Sequence, residues 1–193
     1  MCLCASVPLC LCVMNILLHI CCSNCAIYPV KILISEKHDL TGFWFNPNIH
    51  PYAEYSLRLD SLKRLAGEWK FDVSFTEDYS PEEYFQIFKT FSTPPFPERC
   101  KSCYQLRLEK TAEHAREQGF DAFSTTLLIS PYQDFEQIVS TGKRLADKYN
   151  VQFHLKDYRP HFREAMALSK EMGLYRQKYC GCIFSKAERE RAK

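Results

Sequence analysis

Asn15-Ile-Leu-Leu-His19-Ile-Cys21-Cys22-Ser-Asn-Cys25 is the stretch on which the reading of the chain turns. A short apolar run bounded by polar residues reads as a buried strand, over residues 16–22. Ser23 or Asn24 then caps a helix over 25–37. The adjacent cysteines Cys21 and Cys22 therefore sit at the carboxyl end of the first strand. In open α/β sheets that edge is where ligands collect.

The same alternation continues outward. Residues 42–46 are strand-like and end at the Asn46-Pro47-Asn48 turn. Tyr55, Leu59, Leu62 and Leu65 recur at helical spacing within 51–69, and 72–76 alternates as a strand. Ser80-Pro81-Glu82-Glu83 is a helix start, and Tyr84, Phe85, Phe88 and Phe91 form its core-facing side. A proline-rich break at 93–97 precedes a long helix over 100–118. A threonine-rich strand follows over 122–129, then a helix over 134–149, a strand over 151–155 and a helix over 160–172. Five strands separated by helices predict a parallel, doubly wound α/β sheet, with a small helical insert near 80–103. Cys21–Cys22, residues 130–132 and residues 158–160 all fall at carboxyl edges and converge on one face.

The length of 193 residues allows one domain, and 46% hydrophobic with 25% charged residues excludes a disordered or fibrous chain. We divide it into an apolar N-terminal extension, 1–14, and a single catalytic domain, 15–193. The first Lys or Arg is Lys31, so no positive region precedes the apolar run, and Asn15 and His19 interrupt it. A cytoplasmic protein without a membrane partner is expected. The net charge of +2 names no partner, but residues 156–193 carry ten Lys/Arg against five acids. With Tyr175, Arg176 and Tyr179 interleaved, that segment suits nucleic acid or a solvated basic helix. No glycine-rich phosphate loop is present.

Eleven cysteines cannot all pair internally. Cys2, Cys4, Cys10 and Cys12 lie in the extension. The others form three groups: Cys21, Cys22 and Cys25; Cys100 and Cys103; Cys180 and Cys182. Two adjacent cysteines and a C-x-x-C pair can supply four thiolates, which suit tetrahedral zinc or a [4Fe–4S] cluster alike. The helix start at Cys100 favours thiolate. Cys180-Gly181-Cys182 reads as a labile dithiol suited to electron relay, or as a third ligand pair. Asn46, Asn48 and His50 are turn formers or substrate contacts, and His19 is a core histidine. A zinc-stabilised RNA-binding module and a protein thiol–disulfide oxidoreductase remain the rival readings.

Taken in order, the motifs carry a resemblance. They are His19-Ile-Cys21-Cys22-Ser-Asn-Cys25, Asn46-Pro-Asn48-Ile-His50-Pro with Glu54, Tyr55 and Arg58, Arg99-Cys100-Lys-Ser-Cys103-Tyr-Gln-Leu-Arg107, Thr125 to Gln133, Tyr158-Arg-Pro, and Gly173 to Cys182. Over residues 15–185 the chain resembles the cobalamin-independent epoxyqueuosine reductases, which complete queuosine in tRNA. The resemblance implies a fold related to the adenine-nucleotide alpha-hydrolases. It implies a [4Fe–4S] cluster on Cys21, Cys22, Cys100 and Cys103, and a redox-active disulfide between Cys180 and Cys182. A further iron is implied beside the cluster, with Cys25 nearest. Epoxide removal takes two electrons and two protons, and a dithiol holds two electrons. Asn46, Asn48, His50, Tyr132, Arg176 and Tyr179 are the candidate substrate contacts, with His50, Tyr132 or Tyr179 as proton donor. The partners implied are tRNA carrying epoxyqueuosine and an unidentified electron donor.

Overall fold

Five strands form one parallel sheet, in the order 3-2-1-4-5, in a computed structural model that describes residues 13–75, 79–88 and 97–192. The strands are β1 (Asn15–His19), β2 (Asp39–Trp44), β3 (Asp72–Phe75), β4 (Ala122–Thr125) and β5 (Gln152–Phe153). The helices among the described residues are α1 (Ser23–Ser35), α2 (Tyr52–Trp69), α3 (Pro81–Gln86), α4 (Glu98–Glu117), α5 (Phe135–Tyr149), α6 (Phe162–Glu171) and α7 (Ile183–Arg191). β1 is central, with Leu17 level with Thr41 of β2 on one side and Phe123 of β4 on the other. The chain winds from β1 to β2 and β3, then crosses back to β4 and β5. The crevice between the carboxyl ends of β1 and β4 is therefore the topological switch point.

Helices α1, α2 and α6 pack together, and α4 packs with α5, so helices cover both faces of the sheet. That is why Ile16, Leu17 and Leu18 are wholly buried and read as a continuous apolar run rather than an alternating one. The doubly wound α/β class is the one the sequence predicted.

Several boundaries differ from the sequence reading, each for a local reason. The first strand ends at His19, because Cys22 is already the residue that opens α1 in an extended conformation. Neither Ser23 nor Asn24 caps that helix. Ser23 bonds the Ser61 hydroxyl at 2.7 Å, and Asn24 reaches the Tyr175 carbonyl and Gln177. The run over 122–129 is strand only to Thr125. There the Thr125 hydroxyl accepts the Leu127 amide and turns the chain into a 3-10 helix over Thr126–Ile129. The fifth strand is limited to two residues, and the sixth helix is preceded by a 3-10 turn over Arg159–His161.

In the insert, Tyr84 and Phe88 are buried with Cys103 and Cys182, whereas Phe85 is 43% exposed and leaves the predicted apolar face. Phe91, residues 1–12 and the four cysteines of the extension lie outside the described residues. Among the described residues no helix is long and apolar enough to cross a membrane.

Candidate redox and metal site

The switch point is sulfur-lined. Cys21 follows β1, Cys22 opens α1, and Cys25 lies one turn later, so the three thiols face one another with their sulfurs within 4.8 Å. Thr126, where β4 turns, locks this corner: its hydroxyl accepts the Cys21 amide at 3.1 Å and donates to the Cys21 sulfur at 3.3 Å. The three sulfurs share charge unequally. Cys22 accepts from the Cys21 thiol and is held well below the usual thiol range by hydrogen bonds from Cys21 and Cys25. The same bonds raise Cys25 well above that range, and the one to Cys22 lifts Cys21 to about 11. The Gln177 amide adds a further bond to Cys22, at 2.9 Å.

A second sulfur group comes from α4 and the segment before α7. Cys100, Cys103 and Arg107 recur at i, i+3 and i+7, so they share one face of α4. The start of a helix favours thiolate, but burial outweighs it here: Cys100 is pushed up to about 11 and Cys103 to about 12. Cys100 and Cys103 do not join the group of three within 4.8 Å. Their electrostatic neighbours are instead Cys180 and Cys182. Both Cys180 and Cys182 are free thiols in this structure, Cys180 exposed and Cys182 buried.

Arg107 stands between the two groups. Its side chain is 2% exposed and donates to the Cys103 carbonyl at 3.3 Å. Burial works against its charge, yet Cys103, Cys180 and Cys21 outweigh burial and raise its pKa. Among the described residues no carboxylate forms an ion pair with it. A buried cation of this kind is costly unless an anion sits beside it. His19, wholly buried behind Cys21, is pushed down to about 3 by burial and then by Arg107, and so stays neutral.

A backbone strap over residues 172–182 closes the site. Arg58 donates to the carbonyls of Cys180 and Tyr179, each at 3.0 Å, while its Nε donates to the Glu54 carboxylate at 2.8 Å. Arg64 grips the carbonyls of Met172 and Gly173, and the His50 amide donates to the Gly181 carbonyl at 2.8 Å. Two cavities flank the strap. One, of about 460 Å³, is reached by Cys21 and Cys25 and ringed by Arg58, Arg107, Arg176, Lys178 and Arg189. The other, of about 430 Å³, is reached by Cys100 and Cys182. Tyr132, Gln133 and Cys180 line both.

The remaining predicted contacts divide accordingly. Tyr132, Arg176 and Tyr179 line a cavity. Asn46, Asn48 and His50 line neither. Asn46 ties the end of β2 to the Ile20 carbonyl at 2.8 Å, and the His50 ring packs among Tyr79, Tyr84 and Phe85. The sequence reading assigned no role to Arg58, Arg107, Gln133 or Gln177. Only Arg107 left a signal, a charge at a core-facing position of α4.

The donor set is all sulfur, which suits a soft metal or an iron–sulfur centre. A thiolate-held centre is anionic and would supply the partner that buried Arg107 lacks among the described carboxylates. The residues present thus fit such a group.

The family model described as epoxyqueuosine reductase QueH matches residues 16–188. The chain is 36% identical to the epoxyqueuosine reductase QueH of Dehalococcoides mccartyi, over 91% of this chain and 94% of that protein. It is 37% identical to the QueH of Thermotoga maritima, over 91% and 92% of the two chains. Among solved structures, the U34-tRNA thiolase NcsA of Methanococcus maripaludis with its [4Fe-4S] cluster superposes with a TM-score of 0.59 at 15% identity. That match covers 89% of this chain and 61% of the thiolase, and it shows a shared fold.

Proposed function

The chain belongs to the epoxyqueuosine reductase QueH family, and we propose that it reduces epoxyqueuosine in the anticodon loop of tRNA to queuosine. The observation that carries this reading is the buried guanidinium of Arg107 at the switch point, faced by Cys21, Cys103 and Cys180, one thiol from each of the three distant cysteine segments. Cys21 and Cys22, with Cys100 and Cys103, would hold a [4Fe–4S] cluster. Cys25, beside Cys21 and Cys22, would take a further iron. The NcsA fold neighbour, which carries a [4Fe-4S] cluster, supports the cluster reading. Bound there, such a group supplies single electrons and a Lewis-acidic iron.

The chain's own residues do the rest. Arg176, Lys178 and Arg189 attract the phosphates of a polyanion to the cavity where Cys21 and Cys25 surface. Exposed Tyr132 offers a ring on which an unstacked base can lie. The Tyr179 hydroxyl donates to the His50 carbonyl, so it fixes the strap and is committed as a donor; Tyr132 remains available to deliver a proton. His50 lies in its aromatic cage, away from both cavities. Cys180 and Cys182 hold the electron pair that the reaction consumes. The site of action is the cytoplasm, where the tRNA is.

Anaerobic reconstitution tests the reading. The protein should be brown and hold about four irons or more on thiolate ligands. Cys100→Ala should bleach it, and Cys25→Ala should lose only iron beyond four. Cys182→Ser should keep colour and tRNA affinity but lose multiple turnover. A colourless, zinc-loaded protein would instead make the chain an RNA-binding module.

A further inference from the structure

We infer that the cavity on the far side of Cys180 is the entry site for a dithiol reductant, which attacks Cys180 and expels Cys182. The inference rests on the relay role proposed above and adds to it a route, a direction and a chemical class of donor.

The two cavities differ in charge. The one reached by Cys21 and Cys25 has no acid among its lining residues, and besides buried Arg107 and Arg58, the latter paired with Glu54, it carries Arg176, Lys178 and Arg189. The one reached by Cys182 has Arg99 and Lys101 balanced by Asp134 and Glu188. A polyanion is drawn to the first and gains nothing at the second. Cys180 is the one cysteine that lines both, so it can be approached from the second cavity while RNA fills the first.

The two sulfurs also differ. Cys180 is exposed and receives only a long bond from the Gln133 amide, 3.7 Å. Cys182 is 7% exposed and opens α7, where its sulfur accepts the Ser185 amide at 3.4 Å beside the buried Tyr84 hydroxyl. An incoming thiolate needs access to the sulfur it attacks, and the departing sulfur needs hydrogen-bond donors for its new charge. Access selects Cys180, and donors select Cys182 as the leaving group.

One thiolate of the reductant bonds to the Cys180 sulfur, the Cys180–Cys182 bond breaks, and Cys182 leaves as thiolate and takes a proton. The second thiolate of the reductant then attacks its own linked sulfur and frees Cys180, which takes the second proton. The reductant becomes a disulfide and the pair becomes a dithiol.

The test uses the full chain in its oxidised form, with the 180–182 disulfide verified by peptide mass spectrometry and dithiothreitol as the probe. Lys101→Trp, which fills the second cavity from the exposed side of α4, should slow reduction about tenfold or more and leave tRNA affinity unchanged. Lys178→Trp, in the first cavity, should weaken tRNA binding and leave the reduction rate within about twofold. Lys101→Gln should behave like wild type; equal slowing would assign the effect to charge and remove the cavity as a route. For direction, aromatic disulfide reagent should modify position 180 in Cys182→Ser about a hundredfold faster than position 182 in Cys180→Ser, with adducts mapped by mass. A reduced protein dithiol that outpaces dithiothreitol per thiol would identify a docking protein as the source, and equal rates a small thiol. Reduction blocked by Lys178→Trp, or faster attack at Cys182, overturns the inference and leaves the relay intact. If no 180–182 disulfide forms in the oxidised chain, the relay and the inference fall together.

Discussion

Gly181→Ala reports whether the strap geometry is needed. Gly181 has φ +129, a conformation that an L side chain adopts only under strain of about 1–3 kcal/mol. An added Cβ would also lie 3.1 Å from the Arg58 Nη1 and 3.2 Å from the Ile49 Cγ1. Crowding of that kind costs about 1–3 kcal/mol. Arg58 cannot retreat freely, because it is 2% exposed and tied to Glu54 and to the carbonyls of Tyr179 and Cys180. The middle of the combined range is about 4 kcal/mol, and a domain of this size loses about 2–4 °C of Tm per kcal/mol. Calorimetry should therefore show a fall of about 8–16 °C. If the strap lifts from Arg58 instead, the fall is smaller and buried Cys182 becomes open to alkylation. A Tm within about 1 °C of wild type together with unchanged Cys182 labelling would refute the argument that glycine is required between the two cysteines.

Three further expectations follow from the same site. Arg107→Met should leave the metal-free protein no less stable in urea, since it removes a buried cation with no described carboxylate partner, while the iron-loaded form should shift to a lower reduction potential by about 80 mV, from about 2 kcal/mol of lost attraction; an unchanged potential by electrochemical titration would contradict this. His19 is held at about 3, so the unfolded chain takes up a proton below about pH 6.5 that the folded chain refuses, and stability falls with pH in that window. By pH 5 its share is about 2 kcal/mol, and His19→Gln should flatten the urea-unfolding free energy between pH 6.5 and 5 by that amount. Charge reversal at Arg176 and Lys178 should weaken tRNA binding and shallow its salt dependence, whereas reversal at Lys31 and Lys37, near the far end of α1, should change neither in a filter-binding assay.

Much of the fold was legible because local and global preferences agree. Ile16 to Leu18 are apolar without alternation, as a strand covered on both faces must be, and Gly119 and Gly173 stop helices with positive φ. The threonines misled at β4, since Thr125 and Thr126 spend their hydroxyls on Leu127 and Cys21 rather than on a continuing strand. The three cysteine groups were legible as separate motifs, and topology placed Cys21 and Cys22 at the right edge. What spacing does not encode is which sulfurs face each other. Cys25 joins Cys21 and Cys22 because α1 opens at Cys22, one or two residues earlier than a Ser or Asn cap would open it. Arg58 and Arg107 were given no role, because the carbonyls that hold Arg58 lie more than a hundred residues away and the groups that face Arg107 are thiols from all three cysteine segments. His50 looked like a proton donor, yet it serves through its backbone while its ring packs against aromatics.

The strap over residues 172–182 is held by its carbonyls, through Arg58, Arg64 and the His50 amide, on scaffolding made much earlier in the chain. This has a consequence for biosynthesis. A nascent chain carries Cys21, Cys22 and Cys25 for some 150 further residues before the segment bearing Cys180 leaves the ribosome. Contacts so distant in sequence form last. The sheet and the first sulfur corner can thus take shape on the ribosome with one wall missing, open on the side that the strap later closes. Loading of metal has a natural interval before that closure, and a chain released with its strap already seated would have to open it again.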